Sequence, residues 1–114
     1  MNEVQKLELE LVRHASFNNC DGPQVVADLE AHTDLWRGAV MTRVGFGELI
    51  CLRDIENGHW NVDTLFISAA SGKEDELEKL ALRSWSADEV SWVEDGGDML
   101  GVWPAPKVLR VWWD

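Results

Sequence analysis

Asn57-Gly58 lies between two apolar runs of this chain. A two-residue type I′ turn needs positive φ at both central positions, which Asn and Gly tolerate, and its twist matches that of paired strands. The dipeptide therefore predicts a β-hairpin with Glu56 opposite His59, Ile55 opposite Trp60, Leu52 opposite Asp63 and Ile50 opposite Leu65. Upstream, Gly45-Phe46 has the Gly-first order of a type II′ turn. That turn adds a strand over residues 37–44, sets Met41 opposite Ile50, and completes a three-strand meander from 37 to 69.

The flanking segments carry simpler patterns. Residues 6–13 set Leu7, Leu9 and Leu11 against Glu8, Glu10 and Val12, the period-2 alternation of a half-buried strand. Pro23, preceded by Asp21 or Gly22 as cap, opens a helix over residues 23–33 with Val25, Val26, Leu29 and His32 on one side. Ser71 and Glu74 form the outline of a capping box ahead of Leu77, Leu80, Ala81 and Trp85, which predicts a second helix over 72–85. Short strands follow at 90–93 and 108–113. The loop between them, 94–106, holds Met99, Leu100, Val102 and Trp103. These are too apolar for a solvated linker, so they pack back on the domain or reach a partner. The order β-α-β-β-β-α-β-β predicts one α+β domain over 1–114, mainly antiparallel, with two helices on one face. In topology alone it is similar to the ferredoxin-like split βαβ arrangement with added strands.

Length and charge narrow the partners. With 114 residues and 46% hydrophobic content, one core is expected. Twenty-one acidic against ten basic residues give −11, which repels phosphates and so argues against nucleic acid and anionic membranes. A basic protein partner stays compatible. Two cysteines, Cys20 and Cys51, show no spacing of a disulfide framework or zinc site, and no cofactor is implied. There is no apolar stretch of the ~20 residues a membrane span needs, and the first residues lack a signal-peptide pattern. A cytoplasmic, reduced, soluble protein is the expectation. Seven tryptophans and no tyrosine stand out. In a strand, Trp112 and Trp113 point to opposite faces, so one of them meets the second surface of the sheet.

The hairpin register divides the meander into two surfaces. One carries Val40, Thr42, Val44, Leu49, Cys51, Val62, Thr64 and Phe66, with Arg53 near the tip. The other carries Ala39, Met41, Ile50, Leu52, Leu65 and Ile67 together with Arg43, Glu48, Asp54, Asn61 and Asp63. Burying charge is costly, so the helices are expected on the first surface. Met41, Ile50, Leu52 and Leu65 are then left on an open one, joined by Arg110 and Trp112 if Leu109, Val111 and Trp113 point inward. Trp103 extends this predicted interface. Such a face is too apolar to stay wet, and a second copy, a small ligand or a partner protein should cover it.

Three functions follow from these residues. The first is a homodimeric binding or interaction module using the open sheet face, since symmetric dimers are the commonest oligomers. The second is an acidic inhibitor that covers a basic partner, similar in logic to immunity and antitoxin proteins. The third is a small enzyme in which Asp54, His59 and Asp63 supply acid/base groups. A solvated polar hairpin is the plainer account of those three residues. Cys20, just ahead of a helix N-terminus and six residues after His14, has the placement of an activated thiol, but Asp21 beside it opposes thiolate.

Overall fold

In the computed structural model, which describes residues 1–43, 50–94, 96–102 and 107–114, the chain opens with a helix where alternation predicts a strand. Helix α1, Glu3–Arg13, is capped by the Asn2 carboxamide, which accepts from the Gln5 N–H at 2.8 Å. Glu, Gln, Lys and Leu are good helix formers, so local propensity agrees with the cap. Residues two apart on a helix lie roughly 200° apart, nearly opposite each other. The leucine alternation is therefore two apolar stripes: Leu9 and Val12 are buried, and Leu7 and Leu11 face outward.

A two-residue hairpin pair, β1 (Ser16–Phe17) and β2 (Cys20–Asp21), leads into α2, Gly22–Ala31. This helix begins as expected, with Pro23 in the first turn and the Asp21 carboxylate accepting from the Gln24 N–H at 3.1 Å. A 3₁₀ turn, Thr33–Leu35, delivers the chain to β3, Trp36–Thr42. The proposed Gly45-Phe46 turn lies outside the described residues.

Asn57-Gly58 is not a hairpin turn. It ends helix α3, Leu52–Glu56, with Asn57 as C-cap and Gly58 at φ +78°. Gly58 N–H donates to Ile55 O at 3.0 Å and His59 N–H to Asp54 O at 2.7 Å. That pair of bonds is the Schellman motif, which needs a left-handed residue just past the helix. The same dipeptide thus meets the same backbone demand at a different kind of chain reversal. The expected register across it is corrected, and Leu52 and Asp63 are not strand partners.

Strand β4 runs Thr64–Ala69, helix α4 Glu74–Ser84, strand β5 Glu89–Val93, helix α5 Gly96–Leu100 and strand β6 Val108–Trp112. The capping box before α4 is not made: Lys73 is its N-cap, with no side-chain cap bond. The fold is α+β, as expected, but the element order differs. The main sheet is antiparallel in the order β3-β4-β6-β5. β4 and β5 are joined through α4 and run the same way on either side of β6, which makes one split βαβ unit. The other edge strand, β3, precedes this unit in the chain.

The ladders align side chains in rows across all four strands. Ala39, Ile67, Leu109 and Trp92 form one row; Met41, Leu65, Val111 and Val90 form the next. These rows make the inner face, packed with Leu9 and Val12 of α1, Val25, Val26 and Leu29 of α2, and Leu77 and Ala81 of α4. Met41 is only 2% exposed and Leu65 fully buried, so their expected place on an open surface is corrected. Of the charges expected on the open side, Arg43, Asp54 and Asp63 do not sit on strands, and Glu48 lies outside the described residues. Without them the large aliphatics of β4 and β6 decide, and they turn inward. No helix is long and apolar enough to cross a membrane among the described residues.

Three indole N–H groups tie the core layers together. Trp36 Nε1 donates to Leu29 O at 2.9 Å, Trp85 Nε1 to Asp28 Oδ2 at 2.9 Å, and Trp113 Nε1 to Trp85 O at 2.8 Å. At the β3 edge, α1 side chains take the place of a neighbouring strand. Gln5 donates to Ala39 O at 2.8 Å and accepts from Ala39 N–H at 2.9 Å, while Glu8 accepts from Met41 N–H at 2.8 Å. Burial raises the Glu8 carboxyl above its ordinary value, against a smaller lowering by the Met41 N–H. For a carboxyl raised on folding, the stabilisation is full below the unfolded-state value and is lost as pH rises through the folded-state one. Glu8→Gln keeps an acceptor for Met41. It should therefore raise the urea midpoint at pH 7 and leave it unchanged near about pH 3. A lowered midpoint at pH 7 would show instead that the carboxylate is the favoured acceptor.

Candidate functional site

Alternate residues of the strands build the outer face. Gly38, Ser68, Val108 and Val93 make one row; Val40, Phe66, Arg110 and Ser91 a second; Thr42, Thr64, Trp112 and Glu89 a third. The segment after β5, expected to be a loop, forms α5 and packs back on this face. Leu100 and Val102 line a hollow with Val40, Phe66, Ser68 and Val108, and both Phe66 and Val108 are buried. Beside it lies a groove of about 390 Å³, lined by Phe66, Ser91, Trp92, Val93, Met99, Leu100 and Arg110. Its walls are apolar apart from one guanidinium and one hydroxyl. Arg110 Nη1 donates to Glu89 Oε1 at 3.0 Å, which holds the guanidinium beside the groove, its other donors unpaired among the described residues. Met99 stands at the rim, 56% exposed.

The predicted interface residues divide. Arg110 and Trp112 are on the outer face and half-buried, with Trp113 turned into the core, as the strand geometry of the pair requires. Ile50 is half-buried and packs on the core, Leu52 is 74% exposed on α3, and Trp103 lies outside the described residues. Met99 and Leu100, expected to pack back on the domain or reach a partner, line the groove, whereas Phe66 carries no such expectation. Phe66 went with the inverted face, and Gly96-Gly97 at the start of α5 suppresses any helical signal.

The candidate catalytic residues separate as well. Asp54 and His59 line a second cleft of about 260 Å³ with His14, Ser16, Trp60 and Asn61. This joins the two polar stretches of the sequence, 53–63 and 14–22, at one place. Asp54 is buried and oriented: Asn61 Nδ2 donates to Oδ2 at 3.2 Å, and Arg53 Nη2 reaches Oδ1 at 3.5 Å. The Trp60 indole N–H is buried with no acceptor among the described residues. Asp63 is placed elsewhere, before β4, accepting from Thr64 Oγ1 at 2.8 Å. Among the described residues no group of three or more His, Cys, Asp or Glu is arranged to hold a metal ion. Cys20 is buried, and desolvation, with Asp21 adding to it, pushes its thiol up to about 12, so it is no nucleophile at neutral pH.

The outer-face groove is thus the larger and more apolar of the two clefts, and among the described residues it has an arginine in its wall. No family model matches the chain, and no curated protein or solved structure shows significant similarity to it.

Proposed function

We propose that this protein is a binding module whose outer sheet face takes a small apolar ligand with an acceptor-bearing end. The observation that carries this reading is the groove between α5 and the sheet, with its apolar walls and single guanidinium. Ligand pockets commonly enclose about 300–1,000 Å³, mostly apolar, with few polar groups that fix orientation. The groove falls in that range. Arg110 supplies the orienting donor, Phe66 the floor, and Met99 an adaptable rim, since an unbranched thioether repacks around different shapes.

Octanoate is a suitable probe, with octanol as the uncharged control. Titration calorimetry should give saturable binding of octanoate. Arg110→Gln should weaken it roughly tenfold, the loss of one charge-assisted hydrogen bond, while leaving octanol unchanged. Arg110 pairs with an exposed Glu89, so this variant should melt normally. Heats that never saturate for either probe, with no spectral change at Phe66 or Met99, would remove the groove as a ligand site.

A further inference from the structure

α1 presents apolar side chains on two sides. Leu9 and Val12 are buried in the core, whereas Val4, Leu7 and Leu11 are 77%, 57% and 40% exposed. Steps of three and then four residues set these three in a line along the helix, the spacing of a coiled-coil seam. The line continues past the helix. Val4 shares a depression with Gln5, Glu8, Ala39 and Val40 at the β3 edge, and Val40 is itself exposed. A single exposed leucine is ordinary, but a continuous aliphatic band marks a contact surface.

We infer that this band is a homodimer interface in which α1 packs antiparallel against α1 of a second copy. The closed β3 edge selects helix packing over sheet extension: the Ala39 N–H and C=O and the Met41 N–H are already taken by Gln5 and Glu8. An added strand would have to displace these side chains to pair at Ala39 and Met41. Charge selects the occupant and its direction. With the two-fold axis near Leu7, antiparallel packing sets Val4 against Leu11 of the second copy. Lys6 of each copy then falls level with Glu10 of the other, to within about 1.5 Å along the axis. A parallel pair instead turns this flank toward the Gln5 and Glu8 side of the other helix, which already bonds the β3 edge. A two-fold interface is self-complementary, and this sequence is so only when reversed. The band is narrow and each copy carries −11, so association is weak and strengthens with salt as the repulsion is screened.

Sedimentation equilibrium of the full chain, from about 10 µM to 1 mM, tests this at low and high salt. The expected result is a monomer–dimer equilibrium that salt shifts toward dimer. Leu7→Glu should abolish the dimer at every concentration while its melt stays close to that of the parent chain, because Leu7 is 57% exposed and lies outside the core cluster. Lys6→Glu should weaken the dimer severalfold, and combining it with Glu10→Lys should restore it, which a parallel arrangement does not allow. A monomer throughout the range overturns the inference. So does a dimer that Leu7→Glu leaves intact, since another surface then makes the contact.

Discussion

Trp113→Ala should lower the unfolding free energy by about 3–5 kcal/mol, the range for truncating a large buried aromatic. Trp113, just past β6, is 1% exposed, and its indole N–H bonds the Trp85 carbonyl just past α4. Trp85 is buried in turn and bonds Asp28 on α2. The series Asp28–Trp85–Trp113 therefore links two helices to the last strand. Removing its far end opens a cavity and leaves a buried carbonyl without its donor. Trp113→Phe separates the two effects: it restores most of the volume but not the N–H, and should cost about 1–2 kcal/mol. Urea unfolding of both variants measures the difference. A loss under about 1 kcal/mol for Trp113→Ala would mean that this side chain does not fill the core.

Gly22→Ala should be destabilising by roughly 3 kcal/mol or more, against the trend for helices. Gly22 is the first residue of α2, and propensity alone makes Ala better than Gly there by up to about 1 kcal/mol. Here a Cβ would overlap the backbone carbonyl oxygens of Val12 and Ala15, and the Gly22 N–H already bonds Ala15 O at 2.9 Å. Backbone atoms at the end of α1 cannot swing aside as a side chain does. The α1–α2 packing would have to separate, and that packing is what holds Leu9 and Val12 against Val25 and Leu29. A thermal melt at or above that of the parent chain would show that α1 does not approach α2 so closely.

The elements legible in the sequence were those whose signals had one reading. α2 had Pro23 and an Asp21 cap, α4 had a single apolar stripe, and β3, β5 and β6 had strand-length apolar runs with turn residues nearby. α1 and α3 failed because their signals serve two structures. Leucines at every second position suit one face of a strand or two sides of a helix, and only the demand for a partner on each side distinguishes them. Asn-Gly suits a type I′ turn or a Schellman stop, and the choice depends on whether the preceding residues find tertiary support as a helix. The site inherited both errors. Arg110 and Trp112 were placed correctly from β6 alone, because adjacent tryptophans in a strand must part company. Met41 and Leu65 lie inward, against the expectation, because the charges that single out an open face are not on the strands: Arg43 lies just past β3, Asp54 in α3 and Asp63 ahead of β4.

The Gln5 carboxamide has a consequence for the protein at high concentration. By copying the donor and acceptor of a peptide group, one side chain makes the sheet finite on that side without a further strand. Incoming extended chains meet an amide that is already matched, so fibre growth by template addition has no foothold along Ala39. Encounters at that border are left to side chains, and contacts of that kind stop at a closed pair instead of propagating.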